Sequence, residues 1–200
     1  AYREKLIQIN PLHYFKENVK RIEPKKEYLT VQEIEVLMNA ECSNEDVKRA
    51  FLFSCFTGLR ISDVRNLEWG DVKDDMIDFR QKKTKGYEYL PLSKTAIELL
   101  NFNDGNIQSL KTGKIFDLKS KDYANVIVKD WVKKAGITKK ITYHNSRHTF
   151  ATMSLSQGVD LFTVSKLMGH CNVRVTQVYA KIIDSVKRDA VNKLPYIKVS

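Results

Sequence analysis

Apolar residues follow a helical period in the region that begins near residue 28. Thr30-Val-Gln-Glu33 has the form of a capping box, in which two side chains satisfy backbone N–H groups at the start of a helix. The apolar positions of this segment share one helical face: Val31, Ile34, Leu37 and Met38. A second helix is predicted from about Asn44 to Gly58, and a short third helix from Ile61 to Leu67.

The pattern becomes strand-like after residue 75. Met76-Ile77-Asp78-Phe79 and Tyr87-Glu88-Tyr89-Leu90 are joined by a basic turn, Lys82-Lys83-Thr84-Lys85-Gly86. Two short strands with such a turn between them predict a β-hairpin. Pro91 closes the hairpin because proline cannot continue a strand ladder, and Ser93 is a suitable N-cap for the next helix.

From Asp122 onward the chain is predicted to be helical. One helix carries Tyr123, Ile127 and Trp131 on one face and ends at Gly136. Further helices are predicted at roughly 143–157, 160–168, 172–183 and 185–194, with breaks at Gly158 and Gly169. The predicted fold class is therefore mainly α with a small antiparallel β-sheet (α+β).

The composition is that of a globular protein, either a merely basic one or one with a polyanionic partner. The 200 residues carry 34 Lys and Arg against 24 Asp and Glu, a net charge of +10. A surplus of this size favours nucleic acid, since neutralised phosphates release counterions. The three cysteines, Cys42, Cys55 and Cys171, are far apart and predict neither a disulfide framework nor a cysteine zinc site. The longest apolar run, at Ala50–Phe56, is too short to span a bilayer.

Several polar residues are candidates for chemistry, although each alone has an ordinary structural explanation. His144 and His148 are four positions apart, a spacing found in helical zinc sites. The zinc protease pattern requires Glu after the first His, and Asn145 stands there instead, so a metal site is not predicted. Tyr179 lies among apolar positions and could be a tyrosine at the edge of the core.

The order of the candidates along the chain is more specific than any one of them. Arg60 is followed by a lysine in the hairpin, then His144, Arg147, His170 and Tyr179. This order and spacing resemble the signature of the tyrosine recombinases (integrases). The flanking sequences also match: T-G-L-R-I-S-D, K-T with P-L following, H-N-S-R-H-T-F-A-T and K-L-M-G-H. The resemblance covers roughly residues 28–193 and implies the DNA breaking-rejoining fold of these catalytic domains.

The resemblance implies a role for each residue of the signature. Tyr179 would attack a DNA phosphodiester, and Arg60 and Arg147 would hold its non-bridging oxygens with planar, forked donors. A free phenol has a pKa near 10, so the nucleophile needs a proton acceptor, and His144 is the candidate base.

The remaining positions would assist at the phosphate. The family lysine corresponds to Lys83, with Lys82 and Lys85 as alternatives, and would protonate the leaving 5′ oxygen. His170 would donate a hydrogen bond to a phosphate oxygen. Asp63, three residues after the first arginine, would orient its neighbours rather than react.

The implied organisation is a catalytic domain at residues 28–194, followed by a C-terminal tail at 195–200. Residues 1–27 would be a linker or the tail of a missing N-terminal DNA-binding domain. The implied partner is double-stranded DNA, bound by a homotetramer of the full-length protein with accessory DNA-bending proteins, whereas this fragment alone would be monomeric. The short amphipathic segment 185–194 would either dock on a neighbouring protomer or pack on its own domain.

The implied function is site-specific recombination, as in integration or excision of a mobile element, through a covalent 3′-phosphotyrosine. Because that bond conserves the energy of the broken strand, no cofactor and no metal are expected. Type IB topoisomerase-like DNA relaxation and a catalytically inactive DNA-binding relative are the alternatives. A cytoplasmic, nucleoid-associated location without membrane contact is expected.

Overall fold

A computed structural model of the chain describes residues 26–80, 86–101 and 112–170, together with residues 7, 172, 173, 176, 179 and 191. Seven α-helices lie within these residues, numbered in chain order. Their bounds are α1 Val31–Asn39, α2 Glu45–Thr57, α3 Ile61–Val64, α4 Lys94–Asn101, α5 Lys121–Lys134, α6 Asn145–Ser156 and α7 Leu161–Leu167. A small antiparallel sheet lies between α3 and α4, which confirms the predicted fold class.

The first two helices begin and end as the sequence predicts. Thr30 and Glu33 form the capping box of α1, and the Asn44 side chain caps α2 by accepting from the backbone N–H of Val47 at 2.9 Å. Gly58 ends α2 in the left-handed conformation, with φ +70°. This turn redirects the chain towards Arg60 at the start of α3.

The sheet has three strands rather than the two of the predicted hairpin. β1 (Val72–Lys73) pairs with β2 (Met76–Arg80), which pairs in turn with β3 (Tyr87–Pro91). β1 has only two residues, so it is too short to show an alternating pattern in the sequence. Ile77 and Leu90 are opposite each other and buried, whereas Tyr87 and Tyr89 are exposed.

The centre of the main core is α2, most of which is buried. Phe51 meets the rings of Trp131 and Tyr143 edge to face, at centroid distances of 5.9 and 5.7 Å. A second, smaller cluster joins the later helices: Phe150, Ala151, Leu155, Val164, Met168 and Tyr179. Tyr179 is therefore partly a core residue, only 6% exposed.

Some predicted boundaries differ from the structure. The third helix ends at Val64 instead of Leu67, and the helix predicted from 143 begins at Asn145. The helices predicted at 172–183 and 185–194, and the turn residues 81–85, lie largely outside the described residues. The domain limits at 27, 194 and 195 stay predictions. Among the helices that are described, none is long and apolar enough to cross a membrane.

Candidate active site

Arg60 lies where the end of α2 meets the end of α7. Its Nη2 donates to the carbonyl of Gly169 at 3.0 Å, and its Nη1 lies 3.9 Å from Oδ2 of Asp63. The Asp63 carboxylate is buried at the start of α3, one turn after Arg60. It therefore attracts the guanidinium group by charge, and the orienting role predicted for Asp63 stays a prediction.

Arg147 lies in the first turn of α6 and is 3% exposed. Its Nη1 donates to the carbonyl of Gly58, and its Nη2 donates to the carbonyl of Met168 at 2.9 Å. Since Arg60 contacts Gly169 and Arg147 contacts the adjacent Met168, the two guanidinium groups converge on the same end of α7. The structure thus brings together two arginines that are 87 positions apart in the sequence (147 − 60).

His170 is bonded through both ring nitrogens. Its Nε2 lies 3.0 Å from Nη2 of Arg147, and its Nδ1 lies 2.9 Å from Oγ1 of Thr176. A guanidinium group only donates hydrogen bonds, so Nε2 must be the acceptor. The ring proton is then on Nδ1, which donates to Thr176. The tautomer follows from this network.

The hydroxyl of Tyr179 is hydrogen-bonded to Nδ1 of His148. The two ring centroids are 5.9 Å apart, and the ring of His144 meets His148 edge to face at 5.0 Å. The described contacts therefore connect the Tyr179 hydroxyl to His148 and not to His144, the residue predicted as its base. In the sequence, His148 was considered only for the metal site that was excluded.

A signal for His148 was nevertheless present in the sequence. Residues i and i+4 of a helix share one face, so His148 must lie beside His144. The sequence could not show which of the two would meet Tyr179, because that depends on how the segment after α7 returns to α6. His144 itself is exposed at the edge of the site.

Burial and the clustered cations shift the titration of the site. Desolvation, and then the charges of neighbouring groups including Arg147, lower the pKa of His148 and that of His170 to about 4. Desolvation and repulsion from Arg147 also lower the pKa of His144. The imidazoles are therefore neutral at pH 7, although the pocket as a whole is cationic.

Burial also shifts the pKa values of the Arg147 guanidinium and the Tyr179 phenol. Desolvation, and then repulsion from Arg60, lower the pKa of Arg147 to about 10. Desolvation raises the pKa of Tyr179 to about 12, and the charge of Arg147 opposes that rise. An anion placed between the arginines would relieve their repulsion, so the pocket is suited to a phosphate group.

Lys83 lies outside the described residues, as do Lys82 and Lys85. The last described residues of the two strands, Arg80 and Tyr87, are paired in the sheet, with the guanidinium carbon 5.9 Å from the ring centroid. The position of the predicted lysine thus stays a prediction. The described residues contain no group of three or more His, Cys, Asp or Glu that could hold a metal ion.

A cavity of about 840 Å³ lies elsewhere, at the C-terminal end of α5 and the segment that follows it. Its lining includes Val132, Ile137 and Ile141 but none of the residues of the arginine and histidine cluster. Small-molecule enzymes often use such a cavity, whereas a site for a DNA backbone must be open to a large duplex. The cavity is therefore separate from the candidate active site.

Comparison with known proteins agrees with this fold. The phage integrase family model matches residues 27–185. A tyrosine recombinase of Pseudothermotoga lettingae is 30% identical over 173 residues, 84% of this chain and 60% of the relative. The crystal structure of XerA recombinase has a TM-score of 0.68 and 26% identity, covering 88% of this chain and 67% of that one.

The fold is also that of the catalytic domain of bacteriophage HP1 integrase, with a TM-score of 0.63 and 23% identity over 86% of this chain and 96% of that domain. The architecture is thus that of a tyrosine recombinase catalytic domain. The chain belongs to the phage integrase family of tyrosine recombinases. It spans only 60% of the length of the Pseudothermotoga relative.

Proposed function

We propose that the chain is the catalytic part of a site-specific recombinase that cuts and rejoins DNA through a 3′-phosphotyrosine on Tyr179. The observation that carries the proposal is the hydrogen bond between the Tyr179 hydroxyl and a neutral His148, beside two converging arginines. A nucleophile, a proton acceptor and an anion clamp are thereby within one site.

Arg60 and Arg147 bind the non-bridging oxygens of the scissile phosphate. Their donors now bind the carbonyls of Gly58, Met168 and Gly169. Phosphate oxygens form stronger, charge-assisted hydrogen bonds, so they displace part of this network. The same donors then stabilise the additional negative charge of the pentavalent transition state.

His148 takes the phenolic proton as Tyr179 attacks phosphorus. It is neutral at pH 7 and already in contact with the hydroxyl. Phosphate binding adds a negative charge to the pocket and raises the pKa of the neighbouring imidazole, which strengthens the base. His144, the base predicted from the resemblance, instead supports the His148 ring.

The leaving 5′ oxygen is protonated by Lys83, and His170 donates a hydrogen bond to a phosphate oxygen. The P–O bond to the leaving group breaks as the P–O bond to Tyr179 forms, so the number of phosphoester bonds is unchanged. Rejoining is the reverse attack by a 5′ hydroxyl, and it requires neither a cofactor nor a metal.

The partner is double-stranded DNA, bound by a tetramer of the full-length protein with accessory DNA-bending proteins. The isolated chain is monomeric. The T-G-L-R-I-S-D sequence around Arg60 and the Lys83-Thr84 pair favour integration and excision of a mobile element as the biological role. Strand exchange between two sites, rather than relaxation of one supercoiled molecule, distinguishes this role from that of a topoisomerase.

The role of Tyr179 as nucleophile is tested with a library of nicked duplexes of randomised sequence. Such a library does not require the target site to be known in advance. Cleavage near a nick releases a short fragment and traps the enzyme on DNA. The parental chain should yield adducts that resist SDS, carry a blocked 3′ end and form in excess EDTA. Tyr179→Phe should bind DNA and yield none. Adducts with the Phe variant, with a blocked 5′ end, or only with added Mg²⁺ would contradict the proposal.

A further inference from the structure

Thr176 is fully buried and contacts two groups of the candidate site. Its Oγ1 lies 2.9 Å from Nδ1 of His170, and its carbonyl accepts a hydrogen bond from the backbone N–H of Tyr179 at 3.1 Å. Thr176 is thus bonded through its backbone to Tyr179. Its side chain is bonded to His170, which in turn contacts Arg147. It was not among the residues singled out in the sequence.

His170 would have to donate a hydrogen bond from Nε2 to a phosphate oxygen, whereas in the structure Nε2 accepts one. Without DNA, Nε2 accepts from Arg147 and Nδ1 donates to Thr176. A phosphate oxygen has no proton to donate, so Nε2 must carry a proton when it contacts one. Protonation of both nitrogens is opposed by the adjacent Arg147 and Arg60, whose charges help to lower the pKa of His170 to about 4.

We propose that Thr176 is a positioning residue whose hydroxyl reverses its hydrogen bond and so allows His170 to change tautomer when a phosphate enters. In the DNA-free chain the hydroxyl accepts from Nδ1–H. When phosphate engages Arg147, the ring releases the Nδ1 proton to water and takes one from water at Nε2, so its net charge is unchanged. The hydroxyl then donates to Nδ1.

A hydroxyl is required because it can both donate and accept. Valine has nearly the same shape as threonine but can do neither, so the bound tautomer would leave a buried ring nitrogen without a partner. Serine keeps the hydroxyl and loses only a methyl group. The three residues therefore separate hydrogen bonding from packing.

The inference rests on the proposed function, and its first test is the rate of covalent adduct formation on a duplex selected from the randomised library. Thr176→Val should reduce the single-turnover rate at saturating DNA by about tenfold or more, with little change in DNA affinity. Thr176→Ser should restore most of the rate. The matched control is Thr152→Val, because the buried Oγ1 of Thr152 has no hydrogen-bond partner among the described atoms.

Equal rates for Thr176→Val and the parental chain would overturn the inference while leaving the function intact. No adduct with the parental chain would overturn the function itself. If Thr176→Val lowers the single-turnover rate and Thr176→Ser does not restore that rate, Thr176 has a packing role. This outcome would also overturn the inference.

The second test keeps Thr176 unchanged and so does not depend on whether a Thr176 variant folds. The side-chain ¹⁵N resonances of His170 are measured in Tyr179→Phe, which cannot react, with and without the selected duplex. We expect a proton on Nδ1 without DNA and on Nε2 with DNA. The same tautomer in both states, or a doubly protonated ring with DNA, would contradict the inference.

Discussion

Phe150 of α6 packs so closely against Gly58 at the end of α2 that a Cβ at Gly58 would lie 2.5 Å from Cδ1 of the Phe150 ring. Gly58 also has φ +70° and accepts a hydrogen bond from Arg147 through its carbonyl. We therefore expect Gly58→Ala to lower the free energy of unfolding by about 2 kcal/mol or more, from left-handed backbone strain and the ring contact together. Urea denaturation measures this loss.

Gly136→Ala is the matched control for that variant. Gly136 has φ +75°, but a Cβ there would have no heavy atom within 4 Å. Gly136→Ala should lower the free energy of unfolding by about 1 kcal/mol, from backbone strain alone. It should leave the cleavage rate unchanged. Equal losses of unfolding free energy in the two variants would mean that the contact with Phe150 does not contribute to the effect of Gly58→Ala.

Replacing either arginine with lysine should slow DNA cleavage by at least about a hundredfold, because a single ammonium cannot provide two planar donors. Arg60→Lys and Arg147→Lys keep the charge, so DNA binding should change much less than the single-turnover rate. Arg65→Lys is the control, since Arg65 binds the carbonyls of Leu118 and Lys119 instead. Cleavage at the parental rate by either site variant would remove that arginine from the mechanism.

His148→Gln should reduce cleavage at neutral pH by about a hundredfold, the usual contribution of a general base. Its rate should then rise with pH, because solvent must remove the proton of a phenol whose pKa is raised to about 12 by burial. At limiting DNA the parental rate should be flat around neutrality and fall only as the pH approaches the His148 pKa of about 4.

His144→Gln provides the comparison, because the two histidines share one face of α6 and only one contacts the phenol. It should keep the flat parental profile. A flat profile for His148→Gln together with a rising one for His144→Gln would instead assign the base to His144.

The lowered pKa values of the half-buried histidines predict that the folded chain loses stability in acid. The pKa values of His148 and His170 are about 4 in the folded chain, against 6.5 for a free imidazole. Between these values the unfolded chain binds protons that the folded chain does not, so stability is highest above pH 6.5 and declines towards pH 4. The variants His148→Gln and His170→Gln should each reduce this decline, measured by urea denaturation at about pH 5 and about pH 7. An unchanged decline would show that these imidazoles are not neutralised by folding.

The sequence was sufficient where local chemistry determines the structure. The cap at Thr30, the end of α2 at Gly58 and the hairpin flanking Gly86 all follow from neighbouring residues. The pairing of Tyr179 with His148, 31 positions apart, depends on how distant segments dock. Periodicity carries no information about such docking, so it could not place His148, rather than the predicted His144, against the Tyr179 hydroxyl.

The hydrogen bonds of the arginines join parts of the chain that are far apart in sequence. Arg60 to Gly169 spans 109 positions, and Arg147 to Gly58 spans 89. Contacts of such long range form late in folding, because closing a long loop costs entropy before it is compensated. A partly folded chain would therefore present Tyr179 without its two arginines, and on the proposed mechanism only a completely folded molecule would cleave DNA.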